Sequence, residues 1–255
     1  AVFRARNTRI DTPVALKVLY RGYEQGSESE RRFMREARVA GSLGHPNIVE
    51  VFDLGHLDGG IPFQVMELLE GQSLAQRVHQ EGPLSEAEAL DIAAQVLSAL
   101  EAAHERGVIH RDLKPENVFL TERRGETVAK LLDFGVSKSL TEQTMSMTMT
   151  GVVVGTPYYL SPEQARGDRE VDHRIDIWAM GVLLYESLTG VLPFNAESYE
   201  KLLVKILKQR PVPPSRFQPR ISPSVEEVIL RALSPDAADR PASAQIMLED
   251  LREAG

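Results

Sequence analysis

The sequence predicts an α+β fold of two lobes: a small, mostly antiparallel β lobe carrying one helix, then a larger, mainly helical lobe. Three observations predict it. Strand-like runs rich in β-branched and aromatic residues fall before Leu69, interrupted by a single helical segment around Glu36. Helical periodicity with clean start signals takes over from Ser85. The most apolar stretch, IWAMGVLLY from Ile177 to Tyr185, is hydrophobic around most of its circumference, as a helix buried in the larger lobe must be. With 255 residues, 42% of them hydrophobic, the chain suits one domain at the size where a core begins to divide.

In chain order, VALK (Val14 to Lys17) reads as a strand and RRFMREARVAGSL as the early helix. Val49 to Leu54 and Phe63 to Leu68 flank an Asp58-Gly59-Gly60 turn, which is a hairpin signal. A helix starts at Ser85, with Glu88 three residues on closing a capping box. It runs through Ile92, Val96, Leu100 and Ala103 and is expected to stop at Gly107, a natural left-handed cap. The run PVPPSRFQPRISP, Pro211 to Pro223, could serve another protein as a polyproline ligand. Its place between helical segments and its Arg and Phe interruptions favour a connector. AQIMLEDLREAG reads as a closing helix.

Chemistry concentrates in HRDLKPEN, from His110 to Asn117, and in DFG at Asp133, Phe134 and Gly135. Asp112 is an ionised acceptor able to take the proton of a substrate hydroxyl and aim its oxygen. Lys114 offers a positive charge to a phosphoryl group in transfer. Asn117 and Asp133 present hard oxygens suited to magnesium. An acid, an amide and a second acid at this spacing are what phosphoryl transfer from Mg-ATP requires. On these motifs the chain resembles the protein kinase superfamily over nearly its full length.

The resemblance implies further roles. Lys17 would hold the α- and β-phosphates and pair with Glu36, although a strand Lys is often a solvated surface residue and Glu36 could instead pair along its helix with Arg32 or Arg35. Glu67, Leu68 and Leu69 would form the hinge whose backbone bonds the adenine edge, with Met66 guarding the pocket behind. Val2, Ala15 and Phe119 match the positions that sandwich the adenine, though core packing explains them equally well. Asp176 would bond the backbone of the catalytic loop, and Arg240 would pair with Glu163. The implied layout is one domain over 1–255, with a small lobe at 1–66, a hinge at 67–70 and a large lobe at 71–255.

The segment from Gly135 to Glu163 resembles an activation loop, ending in SPE where the family more often has APE. A phosphate on Thr148 or Thr150, or less favourably on Thr144 or Ser146, would pair with Arg111, with Lys138 nearby. The bland alternative is a polar loop with solvated hydroxyls. Lys114 and Thr156 in GTPYYLSPEQARG match Ser/Thr rather than Tyr kinases, and Tyr158 and Tyr159 read as packing residues. With HPNIV and the TMT pair, the phrases resemble bacterial Hanks-type Ser/Thr kinases. The implied activity is transfer of the ATP γ-phosphate to protein Ser or Thr hydroxyls, switched by loop autophosphorylation, with self-association for phosphorylation in trans. The alternatives are a catalytically dead scaffold and, more remotely, a small-molecule phosphotransferase.

Composition narrows the partners. A net charge of −8 argues against nucleic acid or an anionic membrane surface. Without cysteine, thiolate chemistry and zinc-thiolate sites are excluded. No apolar run is long enough to span a bilayer, and a cytoplasmic location for the domain is expected. The chain opens on Ala1 and Val2, where the family's glycine-rich phosphate loop ends, so that loop is expected to be missing from this sequence.

Overall fold

The computed structural model describes residues 1–19, 26–134, 157–168 and 170–255. The expected regulatory residues Lys138, Thr144, Ser146, Thr148, Thr150 and Thr156 lie outside the described residues, as does Gly135.

A four-stranded antiparallel sheet begins the chain. Its strands are β1 (Val2–Asn7), β2 (Thr12–Val18), β3 (Val51–His56) and β4 (Pro62–Glu67), in the order β1-β2-β4-β3. The VALK strand is β2, with Lys17 opposite Val2 on one side and Gln64 on the other. The first strand of the hairpin lies two residues later than expected and the second one residue earlier, and the turn holds Gly59 and Gly60 at φ of 84° and 83°. That left-handed backbone is why glycines stand there. Helix α1 (Glu28–Leu43) is capped by Ser27, whose hydroxyl accepts from Glu30 N, and by left-handed Gly44. Phe33, Ala37, Ala40 and Leu43 form its single buried stripe, which faces β3 and β4.

A second sheet, β5 (Gly71–Ser73), β6 (Val118–Arg123) and β7 (Glu126–Leu131), lies at the seam with the helical lobe. Backbone bonds stitch the two parts together. Leu131 N donates to Asn47 O at 2.8 Å and Val49 N donates to Leu131 O at 3.0 Å. The amide of Asn47 bonds Ala129 O and Gln95 Oε1, both at 2.9 Å.

The helical lobe holds α2 (Leu74–Glu81), α3 (Glu86–His104), α4 (Pro162–Arg166), α5 (Arg174–Thr189), α6 (Tyr199–Lys208), α7 (Pro223–Ala232) and α8 (Ala244–Ala254). Ser85 caps α3 as predicted, but only half of the capping box forms: the Glu88 carboxylate goes to Arg77. Gly107 is left-handed at φ 71°, yet the helix itself ends at His104, because two tighter turns intervene. Helix α5 is buried on all sides, as its composition requires. The Pro-rich run connects α6 to α7; its Val212 carbonyl accepts from the Tyr185 hydroxyl at 2.8 Å, and its Pro214 is buried. Arg240, buried over Trp178, makes a two-pronged pair with Glu163 at 2.8 and 2.9 Å. Removing either partner of such a pair costs roughly 3–5 kcal/mol.

Gly71 has φ 146°, and a Cβ there would overlap the Leu120 carbonyl oxygen of β6. Gly71→Ala is therefore expected to push β5 off β6, at about 2 kcal/mol or more. The melting temperature should fall by roughly 4–8 °C. Gly125→Ala, where φ is 82° and nothing lies within 4 Å, carries only the backbone cost and should fall less. Equal losses at the two positions would contradict the steric reading.

Candidate active site

The catalytic-loop segment runs from the end of α3 into β6, and one buried carboxylate shapes it. Asp176, on α5, accepts from His110 N at 2.8 Å, Arg111 N at 2.9 Å and His104 Nε2 at 2.8 Å. Burial alone would push its pKa up, but the bond and charge of His104, with help from His110, hold it below the usual carboxylate value. Arg111 is thereby held at φ 65°, a left-handed conformation that costs a non-glycine residue about 1–3 kcal/mol. Asp133 shares this strain at φ 43°.

His110 links the two strained segments. It is fully buried, its Nε2 donates to Leu132 O at 3.0 Å, and its Nδ1 accepts from Asp112 N at 3.3 Å. Those partners assign the neutral tautomer with the proton on Nε2, and burial depresses its pKa to match. Its ring lies 4.8 Å from that of buried Phe134. The residues before Asp112 and those around Asp133 are thus locked to each other through one imidazole.

Within this frame the expected reacting groups converge. Lys114 Nζ lies 3.3 Å from Asp112 Oδ2. Asn117 sits at the end of a short 3-10 turn, Pro115–Asn117, and donates its amide to Asp112 O at 2.8 Å and to Asp112 Oδ2 at 3.2 Å. With the nitrogen end so committed, the amide oxygen is left as the end available to a cation. Across the cleft, Lys17 Nζ is 2.5 Å from Asp133 Oδ1.

That last contact is not the pairing that the resemblance implies for Lys17. Among the described residues Lys17 makes no ion pair with Glu36; its ammonium goes to the carboxylate that faces it across the cleft. Glu36 stands partly buried on α1 and has interactions of its own. Ala15 is buried between Arg4 and Met66 as cross-strand neighbours, while Val2, opposite Lys17, is 58% exposed. Phe119 lies on the other sheet, opposite Ser73 and Lys130. Leu68 and Leu69 follow β4 without regular structure.

Several working residues escaped the sequence reading. Glu67 was expected to act through its backbone, yet its side chain accepts from Lys130 Nζ at 2.5 Å, Arg123 Nη2 at 2.9 Å and Glu50 N at 2.9 Å. Lys130 is buried, and a lone cation inside the apolar run VAKLL was the available signal. The Tyr159 hydroxyl donates to Glu186, a carboxylate that follows the apolar run Ile177 to Tyr185 on α5. Nothing local marked His104 as a partner of Asp176.

Residues 1–251 match the family model described as the protein kinase domain. The chain is 47% identical to the serine/threonine-protein kinase pkn3 of Myxococcus xanthus, over 98% of this chain and 47% of that protein. It is 39% identical to the serine/threonine-protein kinase PknB of Mycolicibacterium smegmatis, over 98% of this chain and 40% of that protein. Among solved structures, the PknI kinase domain of Mycobacterium tuberculosis, a double mutant, aligns with a TM-score of 0.76 at 30% identity, covering 100% of this chain and 90% of that one. The chain spans about half the length, or less, of these curated relatives.

A neutral, buried His110 makes stability depend on pH in a fixed direction. Its folded pKa lies below the ordinary 6.5, so the unfolded chain binds the extra proton first. The contribution is complete above that value and is lost as pH falls below it, by up to about 1.4 kcal/mol per pH unit. Urea unfolding at pH 7.5, 6 and 5 should show a steeper loss for the wild type than for His110→Gln, which keeps a donor and an acceptor but does not titrate. Parallel losses would remove His110 from this role.

Proposed function

Because the chain belongs to the protein kinase family, we propose that it transfers the γ-phosphate of ATP to Ser or Thr hydroxyls of proteins. The observation that carries the reading is the hydrogen-bonded set of Asp112, Lys114 and Asn117 facing the Lys17 and Asp133 pair. A dead scaffold is expected to have lost one of Lys17, Glu36, Asp112, Asn117 or Asp133; all five are present.

Asp112 accepts the proton of the substrate hydroxyl and aims its oxygen, while Lys114, beside it, stabilises negative charge as the phosphoryl group moves. Lys17 would hold the α- and β-phosphates, with Glu36 as its partner. Asn117 and Asp133 supply hard oxygens for magnesium. Among the described residues no three acidic or histidine side chains converge on a metal position, which suits an ion completed by nucleotide phosphates and water. When bound, magnesium neutralises charge on the phosphates. Val2 and Ala15 would cover one face of the adenine and Phe119 the other, with the backbone of Glu67 and Leu69 bonding its edge, Met66 behind it, and 67–70 as the hinge between lobes 1–66 and 71–255.

The switch we assign is autophosphorylation of Thr148 or Thr150, read by Arg111 and Lys138, with Thr156 bonding Asp112 and Lys114 and a second copy serving as the enzyme in trans. No helix among the described residues is long and apolar enough to cross a membrane. A cytoplasmic domain acting on protein substrates is the setting that accords with the reading.

Intact mass after incubation with Mg-ATP should rise by whole phosphates mapped to Thr148 or Thr150, with no gain in Asp133→Asn. In Asp112→Asn the turnover number should fall by roughly 10²–10⁴-fold with ATP affinity changed only a few-fold. Full turnover in Asp112→Asn would end the proposed mechanism.

A further inference from the structure

The transfer chemistry makes no use of one buried polar side chain beside the nucleotide cleft. Gln64, on β4, is 5% exposed, and its one side-chain hydrogen bond among the described residues is a weak one, from Nε2 to Met66 Sδ at 4.0 Å. Its amide oxygen accepts no hydrogen bond among the described residues. Holding a primary amide at such burial on a single sulfur contact disfavours folding relative to an apolar side chain of the same size.

Its place in the sheet sets what it faces. In the register of β2 and β4, Gln64 stands directly opposite Lys17, and Met66 directly opposite Ala15. Opposed residues project from the same face of a sheet, with Cβ atoms about 4.5–5.5 Å apart. That face is turned to the cleft, because Lys17 Nζ meets Asp133 Oδ1 from it. Helix α1, which carries Glu36, lies over the same face: Val51 is opposite Met66, and a Cβ on Gly41 of α1 would come within 3.7 Å of Val51 Cβ. Gln64 thus stands beside the root of Lys17, on the face shared by the cleft and α1.

We propose that Gln64 is a positioning residue for Lys17, its Oε1 accepting one N–H of the ammonium while Lys17 holds the α- and β-phosphates. The inference rests on the kinase reading and adds a residue to its phosphate site. An ammonium has three N–H donors. Phosphate oxygens and the Glu36 carboxylate take two of them in that reading, and Gln64 takes the third. The acceptor suits the place. An amide oxygen carries no net charge, so it avoids the cost of burying a further carboxylate and adds no anion to compete with the phosphates for Lys17. Strand β4 is paired with β2 on one side and β3 on the other, which fixes Gln64 relative to Lys17. With Nε2 committed to Met66 Sδ, the oxygen is the end of the amide left for Lys17.

The test compares the wild type with Gln64→Leu and Gln64→Met by isothermal titration calorimetry, using Mg-ATP and adenosine as separate ligands. Both substitutions remove the amide at similar volume, so one serves if the other fails to fold. Without ligand, the melting temperature of at least one variant should stay level or rise. Mg-ATP should bind about tenfold more weakly, whereas adenosine, which offers Lys17 no phosphate, should stay within about twofold of the wild type. The KM for ATP should rise with that loss and kcat change less. Equal losses for Mg-ATP and adenosine, or a melting temperature lowered in both variants, would mark a packing role and overturn the proposal. Undiminished Mg-ATP binding in a folded variant would overturn it as well. Those failures leave Mg-ATP binding by the wild type in place; its absence there would end the kinase reading, and the role of Gln64 with it.

Discussion

The bonds that Asp176 accepts from His110 N, Arg111 N and His104 are the constraint on which the rest of the site depends. A carboxylate 1% exposed is costly to bury, and three donors are what make it tolerable. In return it pins the backbone of the catalytic loop to the most buried helix of the molecule. Arg111 can then hold a left-handed conformation, and His110 can turn inward to bridge Asp112 and the Asp133 segment. The positions of Asp112 and Asp133 thus follow from packing around the buried helix α5.

A second set of interactions decides how the small lobe meets this platform. Leu131 exchanges backbone bonds with Asn47 and Val49, and the Glu67 side chain clasps Lys130 and Arg123. Both tie the strand leading to Asp133 to the segments on either side of β3 and β4. Lys17 reaches Asp133 because its strand is hydrogen-bonded to β4, which ends at Glu67.

What was legible in the sequence was what is local. HRDLKPEN carries its spacing in eight consecutive letters, Gly59 and Gly60 announce a turn, and Ser85 caps its own helix. The all-apolar face count of IWAMGVLLY placed α5 in the core without a structure. Illegible were choices between partners distant along the chain. Lys17 meets Asp133, 116 residues away, and the side chain of Glu67 meets Lys130, 63 residues away, pairings set by three-dimensional proximity and not by any pattern in the letters. Glu88 shows the same thing in small: the capping-box signal was sound, and Arg77 from the neighbouring helix outbid Ser85 for its carboxylate.

The most direct test of this account is amide hydrogen exchange in Asp176→Asn. Asparagine keeps the shape but replaces one accepting oxygen with a donor, so the paired bonds to His110 N and Arg111 N cannot both survive. The account predicts exchange at one or both of those amides at least about tenfold faster, with the interior of α3 and α7 still protected and phosphoryl transfer reduced. Unchanged protection at His110 and Arg111 in a folded variant would contradict it and place the anchor of the catalytic loop elsewhere.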